Sequence, residues 1–131
     1  MSSYVFTVAS NKDFETTVQA ATDALKEEGF GVLTTIDVAA TLKAKLGLDE
    51  RPYVILGACN PHYAHQALKV EPDIGALLPC NVVVREEADG RIGVVFMDPA
   101  AVLGMVKRPE VDKLGGEVRD KLKRVAEALR A

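Results

Sequence analysis

The chain has 131 residues, 48% hydrophobic and 27% charged, the balance of one soluble globular domain and not of a disordered segment. A formal net charge of −3 without a basic tail argues against a nucleic-acid binder, which needs a concentrated cationic surface. No apolar run approaches the ~18 residues of a membrane span, and "MSSYVFTVASNKD" lacks the basic-then-apolar order of a secretory leader, so a cytoplasmic location is expected.

With no tryptophan and 5% aromatics, the core must be aliphatic. Tyr4, Phe6 and Val8 alternate and predict a short strand over 4–8. Ser10 and Asp13 form a variant of the capping pattern. Phe14, Val18, Ala21 and Leu25 then recur at helical spacing, predicting a helix over about 12–28 that Gly29 terminates. "FGVLTTI" (30–36) is a second strand. Asp37 can cap a short helix bearing Val38, Leu42 and Leu46, with Lys43 and Lys45 at its negative end and Gly47 as its stop. "PYVILGAC" (52–59) is apolar without alternation, which predicts a central strand covered on both faces.

Asn60-Pro61 is a helix start: asparagine is a strong N-cap and proline suits the first helical position. That helix is expected to reach about Lys69, with "EPDIGALLP" (71–79) as a loop and "CNVVV" (80–84) as a strand. Asp89-Gly90 predicts a two-residue hairpin turn into "RIGVVFM" (91–97), and Asp98-Pro99 a short helical turn. Val111, Leu114, Val118, Leu122, Val125 and Leu129 form the stripe of a closing helix. Its basic residues Arg119, Lys121, Lys123 and Arg124 alternate with acids and read as a solvated face. The order β-α-β-α-β-α-β-β-α predicts an α+β two-layer sandwich: one domain over 1–131, with a mixed sheet of about five strands that includes a C-terminal hairpin.

Both cysteines and both histidines fall between positions 59 and 80. In a reducing compartment the cysteines are expected as free thiols. Cys59 ends a strand where a helix begins, and free N–H groups there attract anions and stabilise a thiolate. The alternative is a small buried hydrophobe at a tight corner. Cys80 opens the next strand behind Pro79. Parallel pairing with 52–59 would place the thiols at opposite ends; antiparallel pairing would make them neighbours. The sequence leaves both open. Cys59, His62 and His65 are spaced three apart and are candidate metal ligands by residue type. Their spacing fits known sites poorly, because Pro61 fixes a helix start, and no metal is expected. Two exposed polar positions explain the histidines as well. Glu71, Asp73 and Asp98 are scattered and give no acid–base pair, and neither a phosphate loop nor a nucleophile elbow is present.

The runs "PYVILGACNP", "EPDIGALLPCNVVV" and "MDP", with "EEGFGVLTTIDVAATLKAKLG" before them, resemble the DUF302 family, small domains of unknown function. Cys59-Asn60-Pro61, Leu78-Pro79-Cys80 and Asp98-Pro99 carry the resemblance, which spans nearly the whole chain; His62 and His65 are not part of it. It implies a fold and a tendency to form dimers, and no reaction or cofactor. The expected function is a small-molecule or anion site at a strand-end cleft lined by Cys59, Asn60, Pro61, Pro79, Cys80 and Asp98. The alternatives are a thiol-based redox enzyme or sensor using Cys59 with Cys80, and a homodimeric interaction module joined through a sheet edge or an apolar helix face. Whether the chain is an enzyme is left open. The partners expected are a second copy and a small molecule, with no nucleic acid and no membrane.

Overall fold

Five strands form one sheet in the order β1-β5-β4-β3-β2. In chain order they are β1 (Val5–Ser10), β2 (Gly31–Asp37), β3 (Tyr53–Cys59), β4 (Cys80–Glu86) and β5 (Ile92–Met97). Five α-helices connect and cover them: α1 (Phe14–Glu27), α2 (Val38–Leu46), α3 (Pro61–Val70), α4 (Pro99–Leu103) and α5 (Pro109–Leu129). This is a computed structural model describing residues 3–130; positions 1, 2 and 131 of the expected 1–131 domain lie outside the described residues. No described helix is long and apolar enough to cross a membrane.

The α+β architecture stands, but the expected mixed sheet does not, since all four strand pairings are antiparallel. The reason lies in the β3–β4 connection. A parallel neighbour needs a crossover that carries the chain back to the far end of the sheet. Here α3 and a 3-10 helix (Pro72–Leu77), expected as a plain loop, return the chain to the end it left. Ala58 therefore pairs with Cys80. β1 and β2 run in the same direction but occupy opposite edges, so no parallel pair forms.

The helix-facing side of the sheet carries Val54, Leu56, Val82, Val84, Val94 and Phe96, all buried beneath α1 and α5. The α5 stripe matches its expectation residue for residue: Val111, Leu114, Val118, Leu122, Val125 and Leu129 are all buried. On α1, Ala21 and Leu25 are buried, and Phe14 and Val18 pack against the same core. Asp13, and not Ser10, caps α1 by accepting from the Thr16 N–H at 2.8 Å. Ser10 instead bonds the buried Thr17 hydroxyl at 2.9 Å. Asp37 caps α2, and Gly47 closes it at φ 69°, the left-handed conformation glycine adopts without steric cost.

The other side of the sheet is less completely sealed, with Ile55, Val83 and Val95 only partly buried. Thus β3 is interior, but it is neither central nor covered on both faces as expected. Its burial alternates: Val54 and Leu56 are sealed, while Tyr53 and Ile55 are only partly so. By register, Ile36, Ile55, Val83 and Val95 stand side by side across four strands on this open face. The β4–β5 turn spans one residue more than expected: Gly90, at φ 88°, donates to the Glu87 carbonyl, and Glu87 to that of Arg91.

Candidate functional site

At the end of the sheet where β3 stops and β4 starts, a hollow of about 40 Å³ lies between the strand ends, α3 and α5. Ala58, Cys80 and Leu114 are buried in its wall, while Cys59, Tyr63 and Pro79 are partly exposed. The lining is almost wholly apolar. Antiparallel pairing settles the relation of the two thiols: both line this one hollow. Both cysteines are free.

Burial governs the thiols. Desolvation raises the pKa of Cys59 above its ordinary value, although the residue precedes a helix N-terminus. Cys80 is pushed up to about 11, first by burial and second by the nearby Cys59 sulfur. Burial thus favours the neutral thiol over the thiolate at both positions.

Asn60 departs from its expected role. Its side chain makes no capping bond to α3. Its Nδ2 points across to the end of α1 and donates to the Glu28 carbonyl at 3.4 Å. The close approach uses Gly29, where a Cβ would stand 3.0 Å from that nitrogen. Asn60 is only 8% exposed, and its Oδ1 is buried without a hydrogen-bond partner. A buried acceptor left unpaired costs roughly 1–3 kcal/mol, which makes it a specific anomaly of this site. It was missed in the sequence because asparagine before proline already has a sufficient explanation as a cap.

An open polar groove of about 500 Å³ adjoins the hollow and shares Asn60 and Tyr63 with it. Glu27, Glu28, His62, Gln66, Glu117 and Lys121 form its walls. The Tyr63 hydroxyl donates to Glu117 at 3.3 Å, and its pKa is raised, chiefly by burial and then by that carboxylate. Arg124 pairs with Glu28 at 3.0 Å.

Of the six expected ligand-site residues, Cys59, Asn60, Pro79 and Cys80 line the hollow. Pro61 stands at the first position of α3 with its ring exposed, outside the lining. Asp98 lies elsewhere: it caps α4, accepting from the N–H of Ala100 at 2.9 Å, and holds Arg119 at 3.0 Å. Its carboxylate is engaged as the helix-start device that Asp-Pro also suggests. His62 and His65 are exposed on α3, and no group of three or more metal-ligating side chains occurs among the described residues. Sequence reasoning missed Tyr63 and Leu114, which α3 and α5 bring to the hollow; only long-range packing places them there.

No curated protein matches the chain. Its fold is similar to the crystal structure of the uncharacterized conserved protein DUF302 from Bacillus stearothermophilus, with a TM-score of 0.91 and 31% identity over 98% of this chain and 100% of that one. The family model described as domain of unknown function DUF302 matches residues 6–129. The chain, from its first strand to its last helix, belongs to the DUF302 family.

Proposed function

We propose that this domain binds a small, largely apolar and uncharged molecule in the hollow shared by Cys59, Asn60, Pro79 and Cys80. The observation that carries the reading is the coincidence, in one hollow, of an apolar lining and two thiols that burial holds toward the neutral form. Size limits the guest. Preformed metabolite pockets span roughly 300–1,000 Å³, and an apolar cavity of roughly 150 Å³ holds benzene. A space of about 40 Å³ therefore admits a short hydrocarbon segment, with the rest of the ligand in the adjoining groove. An anion, the other half of the sequence expectation, has less support: Glu27, Glu28 and Glu117 on the groove walls outnumber Lys121 there and Arg124, which pairs with Glu28.

A thermal-shift panel tests this. Small neutral amides and alcohols raise the melting temperature, while nucleotides and dicarboxylates leave it unchanged. A shift from nucleotides alone would contradict the reading. The redox alternative has less support, because burial lifts both thiols. We place the chain in the cytoplasm, where such thiols stay reduced.

A homodimer is a second reading, supported by the row Ile36, Ile55, Val83 and Val95 on the less sealed face of the sheet. Self-complementary contact across a two-fold axis would cover that row in both copies. Light scattering at micromolar concentration tests it: Val83→Glu converts a dimer to a monomer, and a wild-type monomer overturns it.

A further inference from the structure

Residues 31–50, which comprise β2, α2 and the turn after them, form regular structure without one buried side chain. Every other strand and α-helix buries at least one. An isolated helix of nine residues is too short to persist in water, so α2 draws its stability from contacts. Within its own chain these come from Val38, Ala39 and Leu42, all only partly buried, across a shallow groove from Tyr53. By strand alternation Tyr53 shares the face of Ile55, so α2 borders the less sealed face of the sheet at its β2 margin. Of the seven large apolar side chains that stand exposed among the described residues, four lie in this segment: Leu33, Ile36, Leu46 and Leu48. Leu33 is the extra residue of a bulge, since Val32 pairs with Ala58 and Thr34 with Gly57.

Size and charge indicate what covers this surface. Five strands of six or seven residues make a face of about 24 by 20 Å, or roughly 500 Å². A stable protein–protein contact covers about 800 Å² on each partner and uses about 20–30 residues a side. The sheet face alone falls short of that area, and the segment 31–50 adjoins it with further apolar surface. Alternation places one charged side chain of the strands, Arg85, on this face, and Glu87 pairs with it at 2.6 Å. Such a surface does not repel a copy of itself.

Resting on the homodimer reading above, we infer that the second copy covers α2 as well as the sheet face. Leu46 and Leu48 of each protomer close over the sheet margin of the other, and α2 is completed only in the pair. The two-fold axis repeats this contact, so one segment serves both copies.

Light scattering over a dilution series, joined to amide hydrogen exchange, tests it. The wild type is a dimer, and Leu46→Glu combined with Leu48→Glu raises its dissociation constant at least about tenfold. Leu68→Glu, at an exposed apolar position on α3, leaves that constant unchanged. Val83→Glu lies on β4, outside α2, and gives a monomer whose α2 amides exchange at least about tenfold faster than in the wild-type dimer. Protection of α5 in the same data reports that each variant is folded, and diluting the wild type below its dissociation constant releases α2 without any substitution. A dimer that tolerates the double glutamate variant, or whose α2 exchanges as fast as in the monomer, would leave the sheet-face dimer standing and overturn the role of α2. Dissociation caused by Leu68→Glu would move the contact to α3 and overturn it too. A wild-type monomer at micromolar concentration would overturn both this inference and the homodimer reading.

Discussion

The two faces of the sheet are built from nearly the same residues and do different things. On the covered face Val82, Val84 and Val94 are fully buried beneath helices. One position along, on the open face, Val83 and Val95 are only partly buried, and Ile36 is 49% exposed. Composition does not separate them; pairing direction and helix placement do. A β-branched run shows that a strand forms, but which alternate set is sealed depends on where α1 and α5 lie. The same contrast distinguishes the cysteines. Cys80 is buried at the strand entrance, and Cys59 sits half-exposed at the strand exit.

The sharpest way to break the comparison is to truncate one side chain on each face. Phe96→Ala removes a fully buried ring that stacks on Phe6 at 5.2 Å, and the loss is about 3–5 kcal/mol by urea denaturation. Val83→Ala on the less sealed face costs the monomer about 1 kcal/mol or less, because its side chain is only partly buried. Equal costs would mean that the faces are equally sealed.

Titration of Cys80 sharpens the contrast between the thiols. The folded state holds this proton above the pH near 9 at which an unperturbed thiol releases it, up to about 11. Its contribution is thus complete below the unfolded value and is lost as pH rises through that window, on the order of 2 kcal/mol in all. Urea midpoints at pH 8 and 10.5 should fall further apart in the wild type than in Cys80→Ala. Identical pH dependence in the two proteins would show that the thiol is not sealed.

A smaller effect attends Asp98, which caps α4 and holds a half-exposed Arg119. Asp98→Ala costs about 1 kcal/mol, most of it from the cap, and leaves ligand binding at the hollow unchanged. Loss of binding would return Asp98 to the site. Smallest is Arg124→Ala, whose ion pair with Glu28 lies at the surface and contributes about 0.5 kcal/mol or less in a denaturation curve.

Much of the architecture was legible. The α5 stripe, the Asp37 cap and the Gly47 stop follow from spacing and from residues with one dominant conformational role. The sheet direction was not, because it depends on whether α3 and the 3-10 helix carry the chain across the sheet or back, and local pattern does not record that path. Cys59, Asn60, Pro79 and Cys80 were identified at the strand ends and do share one hollow. The role of Asn60 was misread because its partner, the Glu28 carbonyl, is 32 positions away. Asp98 was expected in the cleft as a polar residue, whereas its Asp-Pro pair already indicates the helix start that its carboxylate caps.

Xenon diffraction tests the central claim most directly, because xenon enters apolar cavities that are reachable and dry. A crystal under xenon pressure should show one site bounded by Ala58, Ala64, Cys80 and Leu114, and Ala64→Leu should abolish it while the fold persists. No xenon in that space, or xenon only on the open sheet face, would contradict a reachable hollow between the two thiols.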